Sequence, residues 1–154
     1  MEQYSIREVI EQAVQTEKLG FQFYTAMALK FEAESSLKEL FETLASKEIE
    51  HEKTFAKLKE NIGNEPLENW DEASQYLRAI VESEFFLGKN KALPSLGHLK
   101  SAGDAVHFAM EFEKETILYF LGLKHAVKDK DIVEQIIDEE KSHIMWLSDL
   151  KKKL

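Results

Sequence analysis

Apolar residues recur along this chain at steps of three and four, the period of helices that each bury one face. Four long stripes stand out. The first is Ile6, Val9, Ile10, Ala13, Gly20, Phe21, Tyr24, Ala28 and Phe31; the second is Leu37, Leu40, Phe41, Leu44, Phe55, Leu58 and Ile62. The third is Val106, Ala109, Ile117, Phe120, Leu123 and Val127; the fourth is Val133, Ile136, Ile137, Ile144, Leu147 and Leu150. No segment shows the period-two alternation of a strand. Ser5 with Glu8, Ser36 with Glu39, and Ser101 with Asp104 read as capping pairs that open the first three helices; the fourth is predicted to begin after Asp131. Gly63 suits the end of the second.

Short turns near Glu34 and Asp129 join the helices in pairs, which makes each pair antiparallel. The stretch from Gly63 to about Lys100 is too long for a structureless loop. Within it a shorter helix is predicted from Asp71 to about Leu87, followed by the loop "GKNKALPSLG". The pattern predicts an all-α protein: a four-helix bundle of two antiparallel helical hairpins, with a long crossover that contains a short extra helix, in a single domain over residues 1–154.

The two hairpins repeat each other. "AVQTEKLGFQFY", from Ala13, aligns with "AMEFEKETILYF", from Ala109, and "EIEHEKTFAKL", from Glu48, aligns with "EKSHIMWLSDL", from Glu140. An internal duplication explains both alignments and implies a pseudo-two-fold axis through the bundle.

Each stripe is broken by charge near its middle. The breaks are Glu17, then Glu48 with His51, then Glu113, then Glu140 with His143. Counted from the two turns at a rise of about 1.5 Å per residue, all six reach the same depth of the bundle. Four carboxylates buried together repel one another, and no Lys or Arg occupies a stripe position beside them. Divalent cations would neutralise such a layer. Carboxylate and imidazole donors suit two iron or manganese ions, and Glu-x-x-His places both side chains on one helix face. Either Glu-x-x-His alone is weak in a chain so rich in Glu. Two of them on alternate helices, each preceded by a helix with one Glu in its stripe, form a specific signal. His98, His107 and His125 lie outside this depth and are expected at the surface or in packing. Phe21, Phe23, Phe31, Phe41, Phe108, Phe112 and Trp146 are expected in the core.

Composition narrows the chemistry further. The 154 residues, 44% hydrophobic, suffice for a core without staples. A formal charge of −9 argues against nucleic acid or an anionic membrane as partner. With no cysteine, disulfides, thiol catalysis and cysteine-ligated metal sites are excluded. The start "MEQYSIREVIEQ" lacks the apolar core of a signal peptide, and no apolar run is long enough to span a membrane. A soluble cytoplasmic protein is the expectation.

One Glu on each of two helices and Glu-x-x-His on each of the other two resembles the ferritin-like di-iron carboxylate pattern. Within that class, "AVQTEKLGFQFY" and "LASKEIEHEKTF" are similar to the rubrerythrin family, over essentially the whole chain. The resemblance implies a ferritin-like fold and two iron ions, with manganese or a mixed pair as variants. It implies that Glu17 and Glu113 are terminal ligands, that Glu48 and Glu140 bridge, and that His51 and His143 each complete one metal. Tyr24 matches the family's phenol beside the ligands, whereas its repeat mate is Phe120. Full-length rubrerythrins also carry a four-cysteine rubredoxin-type iron domain, which a chain without cysteine does not hold. The extra Glu that rubrerythrins tend to have one turn after the third-helix ligand is Thr116 here; Glu111 and Glu115 are expected off the stripe.

Three functions compete at this point. One is an oxidoreductase of peroxidase or ferroxidase type, which reacts Fe(II) with O2 or hydrogen peroxide in oxidative-stress defence or iron handling. It would be fed by an external electron donor such as a rubredoxin. Another is a metal-binding protein for iron sensing or delivery without turnover. The third is a helical interaction module with a vestigial site. The apolar residues Tyr76, Leu77, Ile80, Val81, Phe85 and Phe86 of the crossover helix exceed what one bundle face covers, so a two-fold homodimer is expected.

Overall fold

A computed structural model describes residues 5–61, 70–83, 96–125 and 127–154. Five helices run through them: α1 (Ile6–Lys30), α2 (Ser35–Glu60), α3 (Trp70–Ser83), α4 (Ala102–Lys124) and α5 (Lys130–Lys152). No strand occurs among the described residues. Ser5 and Ser101 start α1 and α4 as read from the sequence. Each hydroxyl accepts from the backbone N–H three residues on, and the Glu8 and Asp104 carboxylates accept in return from the cap N–H.

The pairing of Ser36 with Glu39 does not form. The chain turns tightly after α1, with the Glu34 N–H donating to the Phe31 carbonyl at 2.9 Å, and runs straight into α2 with Glu34 as its cap. Ser36 therefore lies inside the first turn of α2. α5 likewise begins at Lys130, two residues earlier than expected, with Asp129 as its cap. α3 starts at Trp70, and its described part ends at Ser83. Gly63, Phe85, Phe86 and most of the expected loop lie outside the described residues.

Two apolar clusters fill the bundle. One gathers Val9, Ile10, Ala13, Phe55, Leu58, Tyr119, Phe120, Leu123, Val133 and Ile137. The other gathers Phe23, Tyr24, Met27, Phe41, Leu44, Val106, Phe108, Ala109, Phe112 and Leu147. Each of α1, α2, α4 and α5 contributes to both, so every long helix crosses from one cluster to the other. The sequence between its two contributions holds the charged break: Glu17, Glu48 with His51, Glu113, or Glu140 with His143.

α3 rests on α4 beside the first cluster, with Leu77 and Val81 buried and the Tyr76 hydroxyl donating to the Leu118 carbonyl at 2.8 Å. The approach depends on Gly122, where a Cβ would stand 2.6 Å from Tyr76 and 2.7 Å from Leu77. Among the described residues no helix is long and apolar enough to cross a membrane. Phe23, Phe41, Phe108 and Phe112 are buried and Phe21 and Phe31 partly so. Trp146 departs from expectation at 39% exposure. It stands on the α5 flank, its ring 5.3 Å from that of His143, so it covers the polar layer from outside rather than joining either cluster.

Candidate metal centre

The six charged residues of the stripes meet between the two apolar clusters. Glu17, Glu48, Glu113, Glu140 and His143 have no exposed surface and His51 has 2%. They form two overlapping groups: Glu17, Glu48, His51 and Glu140 in one, and Glu48, Glu113, Glu140 and His143 in the other. Within each group the potential ligand atoms lie within 4.8 Å of one another. Glu48 and Glu140 belong to both. Helix geometry accounts for the pairing, because three residues make nearly a full turn and aim the Glu and His of one motif at the same space.

The donor atoms are starved of partners. Among the described residues, both carboxylate oxygens of Glu17, Glu48 and Glu140, Oε2 of Glu113 and Nδ1 of His51 are buried without a hydrogen-bond partner. Among the described residues no Lys or Arg forms an ion pair with any of the six; their charged contacts are with one another and with Glu139. Orphaned acceptors on this scale would cost more than a fold of this size tolerates unless something fills the space they surround. Oxygen and nitrogen donors in two sets sharing two carboxylates fit a pair of divalent ions.

Without metal, protons hold the layer together. Burial pushes the Glu17 carboxyl well above its usual range, with the charges of Glu140 and Glu113 adding to it against the opposing effect of the neighbouring Glu48 carboxyl. Burial and the charges of Glu140 and Glu17 raise Glu48 in the same way. Glu113 is raised to about 8 by burial and by Glu140. Glu140 goes the other way: burial would raise it, but the close approach of Glu113, His143 and His51 outweighs this and keeps it ionised. Burial opposes charging of the imidazoles, yet the carboxylates around them prevail. His51 is raised to about 9 and His143 to about 10.

Three neighbours shape the layer. The Tyr24 hydroxyl, wholly buried, donates to Glu113 Oε1 at 2.6 Å. Burial and the Glu113 charge raise its pKa well above the phenol range, so it keeps the proton it donates. Gly20 makes room for Glu48: a Cβ there would stand 2.9 Å from Glu48 Oε2 and 3.0 Å from Phe112. Glu139 reaches from the flank of α5 to His51 Nε2 at 2.5 Å.

From the sequence, Gly20 is a position of the first stripe with no part in the polar layer, and Glu139 has no role. Glu139 sits off the stripe, and its only signal was its place immediately before Glu140. Glu115, expected off the stripe, is buried at 8% exposure, though it joins neither ligand group. Glu111 is part-exposed and His98, His107 and His125 are exposed, as expected. Thr116 is buried and its hydroxyl donates to the Phe112 carbonyl at 2.8 Å, so its polar group is spent on its own helix.

Comparison with known proteins gives a consistent result. The rubrerythrin family profile matches residues 8–151. A crystal structure from Thermotoga maritima, described as a ferritin-like diiron-carboxylate protein, superposes with a TM-score of 0.70. That match covers 99% of this chain and 97% of the other at 22% sequence identity, a level that speaks to the fold. The curated proteins contain no match.

Proposed function

The chain belongs to the rubrerythrin family, and from that premise we propose that it is a di-iron carboxylate oxidoreductase that reacts with O2 or hydrogen peroxide. The observation that carries this reading is the layer of orphaned, fully buried carboxylate oxygens arranged in two groups that share Glu48 and Glu140. In this reading Glu17 and Glu113 are terminal ligands, Glu48 and Glu140 bridge, and His51 and His143 complete one position each. Two bound iron ions would supply the electrons for reducing O2 or peroxide.

The protein's own groups do the rest. The apolar clusters on either side exclude water from the layer and strengthen every electrostatic contact inside it. Tyr24 occupies Glu113 Oε1, leaving Oε2 as that residue's free donor atom, and holds a proton at the edge of the layer. Iron is the expected metal, with manganese or a mixed pair as alternatives, and an external donor such as a rubredoxin would return electrons.

A second reading, metal binding for iron sensing or delivery without turnover, draws support from Thr116. Its hydroxyl is tied to the helix backbone at the position where rubrerythrins tend to place an additional carboxylate. Anaerobic loading with Fe(II), followed by exposure to hydrogen peroxide or to O2 alone and monitoring of ferric absorbance, separates the two. Rapid oxidation with repeated turnover under an added reductant supports the oxidoreductase; retention of Fe(II) through both exposures supports binding without turnover. A homodimer and a cytoplasmic setting complete the proposal. Tyr76, Leu118 and Leu121, each about 40% exposed on the α3–α4 face, are the apolar residues such a dimer would cover. Light scattering showing a concentration-independent mass near 17.8 kDa would exclude it.

A further inference from the structure

The two imidazoles of the layer are held differently. Their rings lie nearly parallel, 6.0 Å apart, and each turns Nδ1 toward the carboxylates. His51 Nδ1 is 2.9 Å from Glu140 and 3.6 Å from Glu17, while His143 Nδ1 is 3.3 Å from both Glu113 and Glu140. The outer nitrogens differ. His51 Nε2 meets Glu139 at 2.5 Å, whereas His143 Nε2 is buried and has no partner among the described residues.

Aligning the two Glu-x-x-His motifs shows why. The residue before Glu140 is Glu139, and the residue before Glu48 is Lys47, which pairs with Glu50 and cannot accept a hydrogen bond. The duplicated frame thus offers a bracing position to each imidazole, and only the α5 copy fills it with an acceptor.

We infer that Glu139 is a positioning residue that makes the two metal positions unequal, so that the one completed by His51 fills first and holds its ion more tightly. The inference rests on the ligand set proposed above and goes beyond it. A carboxylate facing Nε2 can only accept, so the hydrogen on that side stays on Nε2 and the lone pair of a neutral ring is left on Nδ1, facing the layer. The same bond fixes the plane of the ring and makes Nδ1 a better donor. His143 has no such bond, and its Nδ1 lies between two carboxylates that compete for a hydrogen there.

The other position has an outer contact of opposite character: Tyr24 donates to Glu113 and draws charge away from that ligand. An acceptor behind His51 and a donor behind Glu113 both favour the first position over the second.

The test is an anaerobic titration of the metal-free full chain with Co(II), followed by calorimetry and by the visible absorption of bound Co(II). The unmodified protein should bind in two resolved steps. Glu139→Ala should weaken the tighter step about 10- to 100-fold and leave the weaker one unchanged, bringing the two together. Glu139→Gln, whose amide oxygen still accepts, should restore most of the separation and guards against a folding defect in the alanine variant. With Zn(II) bound, the His51 Nε2–H should give a slowly exchanging proton resonance that Glu139→Ala abolishes. Two indistinguishable steps in the unmodified protein, or equal weakening of both steps in Glu139→Ala, would overturn the inference. Failure of the unmodified protein to bind Co(II) at all would instead remove the ligand set on which it rests.

Discussion

In the first hairpin, Glu17 of α1 is followed by Gly20 one turn on and Tyr24 two turns on; in the second, Glu113 of α4 is followed by Thr116 and Phe120. The aligned residues behave differently. Tyr24 crosses the bundle to donate to Glu113, while Phe120 packs on Phe55 with ring centroids 4.9 Å apart. Gly20 yields space to Glu48, while Thr116 bonds back to its own helix. Glu139 braces His51, while Lys47 points to Glu50. The six charged residues are the same in both halves and the groups touching them are not. Physical reason supports this division. Losing any one of the six unbalances the charge of the whole layer, whereas a bracing group changes only how a ligand is held. The repeated hairpins therefore present a symmetric donor set, while the groups around it differ between the two halves.

The largest test of that symmetry removes a shared carboxylate from either half. Glu48→Ala and Glu140→Ala should each lower binding from about two Fe(II) per chain to about one. Metal analysis after anaerobic reconstitution measures this. Retention of both equivalents in either variant would mean that the carboxylate does not bridge.

The next effect is the pH dependence of the metal-free protein. Glu17, Glu48 and Glu113 hold protons in the fold that the unfolded chain releases near 4.5, so their contribution falls as pH rises from there, in the case of Glu113 toward about 8. His51 and His143 hold theirs to about 9 and 10 against 6.5 when unfolded, so they contribute fully below 6.5 and lose that contribution as pH rises above it. Glu140, lowered in the fold, contributes fully above 4.5 and loses its share only in acid. The stability of the metal-free protein should therefore decline from about pH 5 to pH 9, by about 1.4 kcal/mol per pH unit for each proton difference, and its melting temperature should fall with it. Metal must displace the protons on Glu17, Glu48, Glu113 and both imidazoles, so its affinity should rise over the same interval and offset the decline. A melting temperature that climbs across that range without metal would contradict the protonated layer.

The four stripes, the two hairpins and the shared depth of the six charged residues were legible because helical periodicity fixes both face and height. What escaped has a physical cause in each case. Glu139 lies on the flank of α5 and becomes visible only when α2 is placed against it. The role of Gly20 depends on how closely Glu48 approaches α1. Ser36 has the chemistry of a cap, but the turn closing at Glu34 left it nothing to cap. Trp146 matches a core position by composition, yet it lies where α5 passes the polar layer and the apolar clusters give way. Local pattern predicts which face is buried, and contacts between helices decide which polar atom meets which.

Gly20→Ala sharpens the comparison at intermediate size. The added methyl meets Glu48 Oε2 and Phe112 in a wholly buried place. The cost should be about 1–3 kcal/mol in chemical denaturation of the metal-free protein, with weakened binding because a carboxylate shared by both donor groups is displaced. Thr116→Ala, at the matching position of the other hairpin, removes a hydroxyl bonded to its own helix and should cost about 1 kcal/mol or less. Equal effects would mean that Gly20 is not reserved for Glu48.

Tyr24→Phe makes the two halves alike at their aromatic positions, and its effect should be no larger than that of Gly20→Ala. The ring stays, so contacts with Phe23 and Phe41 persist and only the hydroxyl is lost. Glu113 Oε1 then loses the donor at 2.6 Å and keeps only the longer contact with His143. Leaving a buried carboxyl oxygen short of its partner costs about 1–3 kcal/mol, and the metal-free protein should lose stability within that range in urea. Metal should recover part of the loss, because in the loaded protein Glu113 has a second source of positive charge. The converse change, Phe120→Tyr, should give no matching gain. Its hydroxyl would enter the apolar cluster around Phe55 rather than face a carboxylate, so it should destabilise as well. If Tyr24→Phe were neutral, or Phe120→Tyr stabilising, the phenol would not be a support for one ligand, and the difference between the hairpins at this position would have no bearing on the centre.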